Sequence, residues 1–184
     1  MRLHAAVPLF PVVLAVPFAV CSVQAKTYTA IPGESRIIYT LKHPMHRVEG
    51  ISREFECTVD LGDDTARVSI RVKAAVLSFN SGNSNRDGHA LETLEAFKYP
   101  FVEFAADSVR REGEKHRVFG QLTFHGVKRA LDFPVSHHAD KDRVHVMGRF
   151  FVRLSDFKVE RPSLMFLRTE DTLRVDIHVR AVWP

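Results

Sequence analysis

The chain has 184 residues, 45% of them hydrophobic, with 26 Lys and Arg against 22 Asp and Glu. That length suits one domain with a real core. The slight positive balance, with signs alternating along the chain, gives no footing for nucleic-acid binding.

The N-terminus reads as a targeting segment. Met1-Arg2 supplies a positive start, and an apolar run from Ala5 to Val23 ends in Val23-Gln24-Ala25, with short residues at the −3 and −1 positions. The pattern predicts a signal peptide over 1–25 and a domain over 26–184. Pro8, Pro11 and Pro17 argue against a membrane anchor. Val20, where a small residue is needed ahead of Cys21, argues against a lipoprotein. Only Cys57 then stays in the mature chain, so no internal disulfide forms and Cys57 is expected to be a small core residue.

Beyond residue 25 the dominant signal is alternation with period two. Ile37, Tyr39, Leu41 and His43 share one face, as do Phe55, Cys57 and Val59. Ala66 to Val76 sets Ile70, Val72 and Ala74 against Arg71 and Lys73. One segment breaks the rhythm: Ala90, Leu91, Leu94 and Phe97 fall at helical spacing between Asn80 and Tyr99. Asp87 is the expected N-cap and Pro100 the stop. Strands resume with Val102, Phe104 and Ala106, then Gly120, Leu122 and Phe124, then Leu131, Phe133 and Val135. Val144 to Val152 places Phe150 and Val152 inward, with Met147 and Phe151 among the residues facing out. Leu173 to Trp183 alternates Val175 and Ile177 with Arg174, Asp176 and His178. Gly62-Asp63-Asp64, Glu112-Gly113-Glu114, His125-Gly126 and Ala139 to Asp142 are the turns. The prediction is an all-β fold, an eight-stranded antiparallel barrel with one short helix covering an end.

A barrel of that size either fills with its own side chains or holds one small ligand. All phenylalanines but Phe10 and Phe18 lie beyond the signal segment, several beside Gly120, Gly148 or Ala181. Periodicity leaves packed core and tunnel open.

Catalytic and metal chemistry find little support. No G-x-S-x-G elbow is present. His43-x-x-His46 and His137-His138 are the closest histidine groupings, and neither has further ligands at zinc-like spacing. No catalytic residue, metal or cofactor is assigned. An enzyme acting on a lipid-like substrate, or a stress-response or adhesion protein using outward Ile38, Phe119 and Phe151, are the competing classes.

Three stretches carry a resemblance. Asn83-Ser84-Asn85-Arg86-Asp87-Gly88-His89-Ala90-Leu91 followed by Ala96-Phe97-Lys98-Tyr99-Pro100 and Val102-Glu103-Phe104 resembles the YceI-like family's R-D-x-H-L turn, helix and Y-P strand entry. Gly120 to Lys128 is similar to its G-x-L-T hairpin, and Ser35 to His43 to its opening strand. Ala90 is inserted in the turn motif, and Lys158 stands where an R/K-x-D-F-G-like segment has glycine, which predicts a different turn and an altered ligand entrance over Glu160 to Asp171.

The resemblance implies a lipocalin-like periplasmic barrel whose interior binds a polyisoprenoid, quinone tail or fatty-acid-like amphiphile, and favours the tunnel. Contacts would come from Ile37, Tyr39 and Leu41; Phe55, Ile70 and Val72; Leu91, Leu94 and Phe97; Phe104, Leu122 and Phe124; and Phe150, Val152, Val175 and Ile177. Arg86 and His89 would meet a head group at the mouth, while Asp87 is read as structural and Arg86 equally as a loop pin. The expected partners are this lipid and, transiently, a membrane or quinone protein; monomer and homodimer stay open.

Overall fold

The computed structural model describes residues 26–61, 68–140, 142–164 and 166–182. The predicted signal peptide with Cys21, the turn at 62–64, Ala66 and Trp183 lie outside them. Within the described residues each alternating run forms a strand, because one face meets an apolar interior and the other meets water.

In chain order the strands are β1 (Lys26–Ala30), β2 (Arg36–His43), β3 (His46–Ser52), β4 (Phe55–Leu61), β5 (Val68–Ala75), β6 (Phe101–Glu112), β7 (Lys115–Phe124), β8 (Val127–Asp140), β9 (Arg143–Arg153), the two-residue β10 (Ser163–Leu164) and β11 (Leu167–Arg168), and β12 (Thr172–Val182). Helix α1 spans Ser84–Thr93. The ring runs β1, β4, β5, β6, β7, β8, β9, β12 and returns to β1 through Thr29↔Val182 and Ala30↔Ala181. β12 then pairs with β2 from Leu173 to His178. β1 and β2 are therefore one interrupted strand, and β3 and β4 its equally interrupted partner, which makes a closed eight-stranded antiparallel barrel.

Buried serines stitch both interruptions. Ser35 Oγ donates to the Arg180 carbonyl (3.1 Å) and accepts the Arg180 N–H (3.0 Å), replacing ladder bonds that β1 and β2 leave unmade. Ser52 Oγ accepts the Glu54 N–H (3.3 Å) and lies 2.7 Å from Ser78 Oγ. Satisfied this way, the breaks leave these buried backbone groups paired.

The helix departs from expectation at both ends. Its N-cap is Asn83, whose Oδ1 accepts the Arg86 N–H (3.0 Å), and not Asp87. Asp87 sits in the first turn, where its carboxylate accepts the Ser81 N–H (3.1 Å) and hydroxyl and so holds the loop leading into the helix. At the other end the helix stops at Thr93 and Glu95 takes a positive φ of 45°. The helical register is lost there, so Phe97 points fully into solvent rather than onto the face shared by Leu91 and Leu94.

Two clusters fill the barrel away from α1. Cys57, Val179 and Ala181 close one end with Tyr28 and Phe55 packed on them. Ala106, Val118, Phe133 and Val135, with Ile70, occupy the middle. Burial pushes the Cys57 thiol up to about 11, so it is an uncharged core group. On the outer face Asp176 is only 8% exposed, held between Arg149 Nε (2.5 Å) and Arg174 Nε (2.9 Å). The wetted face of β12 is thus partly roofed by ion pairs.

Lys158 follows a short 3₁₀ turn at Ser155–Phe157 and adopts the left-handed conformation itself, φ 57°, ψ 26°. The expected change of turn is not needed: lysine keeps the bend that glycine would ease, and bears the strain.

Candidate functional site

The strand ends beside α1 enclose a cavity of about 640 Å³, within the usual size of small-molecule pockets, about 300–1,000 Å³. Its walls come from inward positions of β2, β3, β5, β6, β7, β8, β9 and β12, with α1 across the opening. Alternation aims these side chains at one axis. Some of them are only half-buried because they border the hollow, as Leu41, Phe104, Phe150 and Val175 show, while Leu122, Phe124 and Val152 are buried by packing on one another and on Phe157.

Aromatic rings form the floor. Phe133 lies between Phe104 (centroids 5.5 Å apart) and Phe150 (4.8 Å), separating the cavity from the packed middle of the barrel. Gly120 makes room for this: a Cβ there would stand 2.7 Å from Phe104 Cζ. Tyr39 lines the wall nearer the mouth, with its ring 5.7 Å from that of Phe79. Burial raises the Tyr39 hydroxyl above its ordinary pKa; the Asp87 carboxylate adds to the rise and Arg86 opposes it.

The polar groups gather at the mouth. Arg86 lines the wall but also pins the loop before the helix, its Nε donating to Ser81 Oγ (2.9 Å) and its Nη2 to the Ser81 carbonyl (2.7 Å). His89 is at the rim, 3.4 Å from the Glu92 carboxylate. Opposite the helix, His43 accepts the Met45 N–H at Nδ1 (3.2 Å), which leaves Nε2 to donate to the Leu167 carbonyl (3.0 Å). This geometry places a ring proton on Nε2.

The segment from Tyr99 to Phe104, part of the quoted motifs, is anchored from below. Tyr99 packs edge-on to His125 (4.6 Å) and directly over Gly126, where φ is +71° and a Cβ would overlap the ring. His125 Nδ1 lies 3.1 Å from the Phe157 carbonyl. Glycine is required there twice over, by conformation and by contact.

The expected contact residues divide clearly. Ile37, Tyr39, Leu41, Val72, Leu91, Leu94, Phe104, Leu122, Phe124, Phe150, Val152, Val175 and Ile177 line one cavity, with Arg86 and His89 at its mouth. Phe55 and Ile70 do not: they face inward at the packed levels and are consumed by the two core clusters. Phe97 is in solvent. Sequence reading set Glu160 to Asp171 at the ligand entrance without naming contacts there; from this strap after β9, Leu154, Val159, Pro162, Ser163 and Thr169 also line the cavity. It has no periodicity to betray it, and its advance sign was Lys158 standing in place of glycine ahead of Glu160.

Among the described residues no group of three or more His, Cys, Asp or Glu is placed to hold a metal ion, and no helix is long and apolar enough to cross a membrane.

The chain is similar to two UPF0312 proteins. It is 29% identical to that of Pseudomonas fluorescens strain SBW25 over 128 residues, 65% of this chain and 64% of that protein. It is 29% identical over 107 residues to that of Photorhabdus laumondii, 55% of each. The chain therefore spans less than two thirds of the curated relatives it matches. Among solved structures, Burkholderia cenocepacia BcnA superposes with a TM-score of 0.75 at 20% identity, over 83% of this chain and 99% of that one. A polyisoprenoid binding domain from Saccharophagus degradans gives 0.69 at 18% identity, over 85% and 98%. At these identities the likeness is one of fold. The YceI-like domain model matches residues 28–181, nearly the whole described barrel, and the chain belongs to the YceI-like family.

Proposed function

We propose that this protein is exported by residues 1–25 to the periplasm and there sequesters or carries a long-chain apolar molecule, a polyisoprenoid, quinone tail or fatty-acid-like amphiphile, in the barrel. The observation that carries the reading is the cavity of about 640 Å³, floored by Phe104, Phe133 and Phe150, with its ionisable groups only toward the mouth. Each Å² of apolar ligand surface withdrawn from water contributes roughly 25 cal/mol, so a flexible chain binds there without directional contacts. Tyr39, Arg86 and His89 are suited to a polar head that stays partly wet. The polyisoprenoid-binding relative of the same fold agrees with this class of ligand. The chemistry is that of a binder: no step of bond making is assigned to any residue.

Mass spectrometry of solvent extracts from the purified protein tests the proposal. A co-purifying long-chain lipid is expected, together with stabilisation of about 2.7 kcal/mol when added prenol, quinone or fatty amide reaches a hundred times its Kd. A clean extract and no thermal shift with any of them overturn it, as does turnover of the added lipid. Protein recovered from its native host should begin at Lys26; an intact Met1 overturns export.

A further inference from the structure

Exposed apolar side chains are unevenly placed on this barrel. At the packed end the described turns are polar: Glu112-Gly113-Glu114-Lys115 between β6 and β7, and Asp140, Asp142 and Arg143 between β8 and β9. At the mouth, Met45 in the β2–β3 turn is 61% exposed, Leu167 is 44% exposed, and Phe166, in the turn of the β10–β11 hairpin, is fully exposed. Phe166 also holds a positive φ of 67°. Neither burial nor backbone preference puts a phenylalanine there.

The two turns form one surface. His43 Nε2 donates to the Leu167 carbonyl (3.0 Å), and the Glu170 N–H donates to the Lys42 carbonyl (2.8 Å). Residues 42–47 and 161–168 contain Lys42, Arg47, Arg161 and Arg168 and no carboxylate. Acids flank these cations: Glu170 is 3.9 Å from Lys42, Glu49 is 3.9 Å from Arg47, Glu160 precedes Arg161 and the Asp171 carboxylate interacts with Arg161. The hollow between the two turns is nonetheless lined by Lys42, Arg47 and Arg168 against Glu170 alone. Apolar tips ringed by cations match an anionic bilayer, whose phosphates meet the charges while the tips enter the interface.

We infer that this face docks on an anionic lipid surface. Phe166, Leu167 and Met45 enter the interfacial layer, and the cavity mouth, lined by Pro162, Ser163 and Thr169 from the same strap, turns toward the acyl chains. An apolar ligand then passes between bilayer and barrel without exposing its length to water. The docking goes beyond the ligand-binding reading and stands without it.

Co-sedimentation of the purified protein with phosphatidylcholine vesicles, with and without phosphatidylglycerol, tests the inference. The protein is expected to sediment with the anionic vesicles, less so at high salt. Phe166→Ser lowers the partition coefficient about tenfold, the scale of burying one phenylalanine, while Phe151→Ser on the outer face of β9 leaves it unchanged. No binding to anionic vesicles, binding by Phe166→Ser equal to that of the parent, or an equal loss in Phe151→Ser each overturn it. A concentration-dependent dimer that hides Phe166, without vesicle binding, does the same. Uptake of a fluorescent fatty-acid analogue from vesicle-free solution separates the two readings: Phe166→Ser should keep it. Loss of uptake in the parent protein with docking intact would count against the ligand, not the surface.

Discussion

Tyr39 and Gly50 face each other across the β2–β3 ladder, and the phenol ring lies over the glycine so closely that a Cβ on residue 50 would stand 2.5 Å from Tyr39 Cζ and 2.7 Å from its hydroxyl oxygen. The bare backbone at Gly50 is what lets an aromatic ring lie along the cavity wall. Gly50→Ala forces the ring off that position and is expected to destabilise the fold by about 1–3 kcal/mol. It should also weaken binding of the proposed long-chain ligand, and Tyr39→Leu in the Gly50→Ala background should restore part of the stability. Chemical denaturation of the single and double variants checks this; additive losses would show that the two residues do not communicate.

Three half-buried histidines make stability depend on pH. Burial lowers His116, with His137 and Arg111 adding to the effect; burial lowers His145, with Arg180, Arg36 and His138 beside it; burial and then Arg36 and His145 lower His178. The unfolded chain, with its histidines near about 6.5, therefore takes up protons before the folded one. Their contribution is complete above about pH 6.5 and is lost as pH falls through the folded values. Thermal midpoints should be level from about pH 7 to 8 and decline below about pH 6. Replacing His145 and His178 together with glutamine should make that decline shallower, and an unchanged slope would remove them as its cause.

Lys158 stores strain that a smaller residue releases. At φ 57° a Cβ is disfavoured and glycine is not. Lys158→Gly is expected to raise stability by up to about 1 kcal/mol, measured by urea unfolding with no change in m-value. A loss of stability would mean that the lysine side chain contributes more on the surface than its backbone costs.

Cys57 should be silent in the native protein. With the thiol pushed up to about 11 and the side chain buried, neither thiolate nor access is available at neutral pH. Native protein is expected to react with a thiol reagent only as fast as it unfolds, whereas denatured protein reacts at once. Rapid native labelling would mean that the packed end of the barrel opens.

The strands and the barrel were legible in the residues alone. Ile37-Tyr39-Leu41, Phe150-Val152 and Val175-Ile177 announce an apolar interior because each neighbour is a residue water tolerates, and a strand has only two faces. The family motifs were equally plain, and Tyr99 over Gly126 gives one of them its physical reason. Period two says which side chains face in, but not the level at which strands far apart in the chain meet. Phe55 and Phe104 look alike in sequence; one is packed against Cys57 and Val179, while the other floors a cavity. Likewise the spacing of Leu91, Leu94 and Phe97 suggested one helical face, and a single positive φ at Glu95 sent Phe97 into water. Sequence by itself determined the alternation, and with it the barrel. Tertiary structure decided where the barrel is hollow, because an unfilled interior depends on side chains from several strands failing to reach one another, a distance no local pattern records.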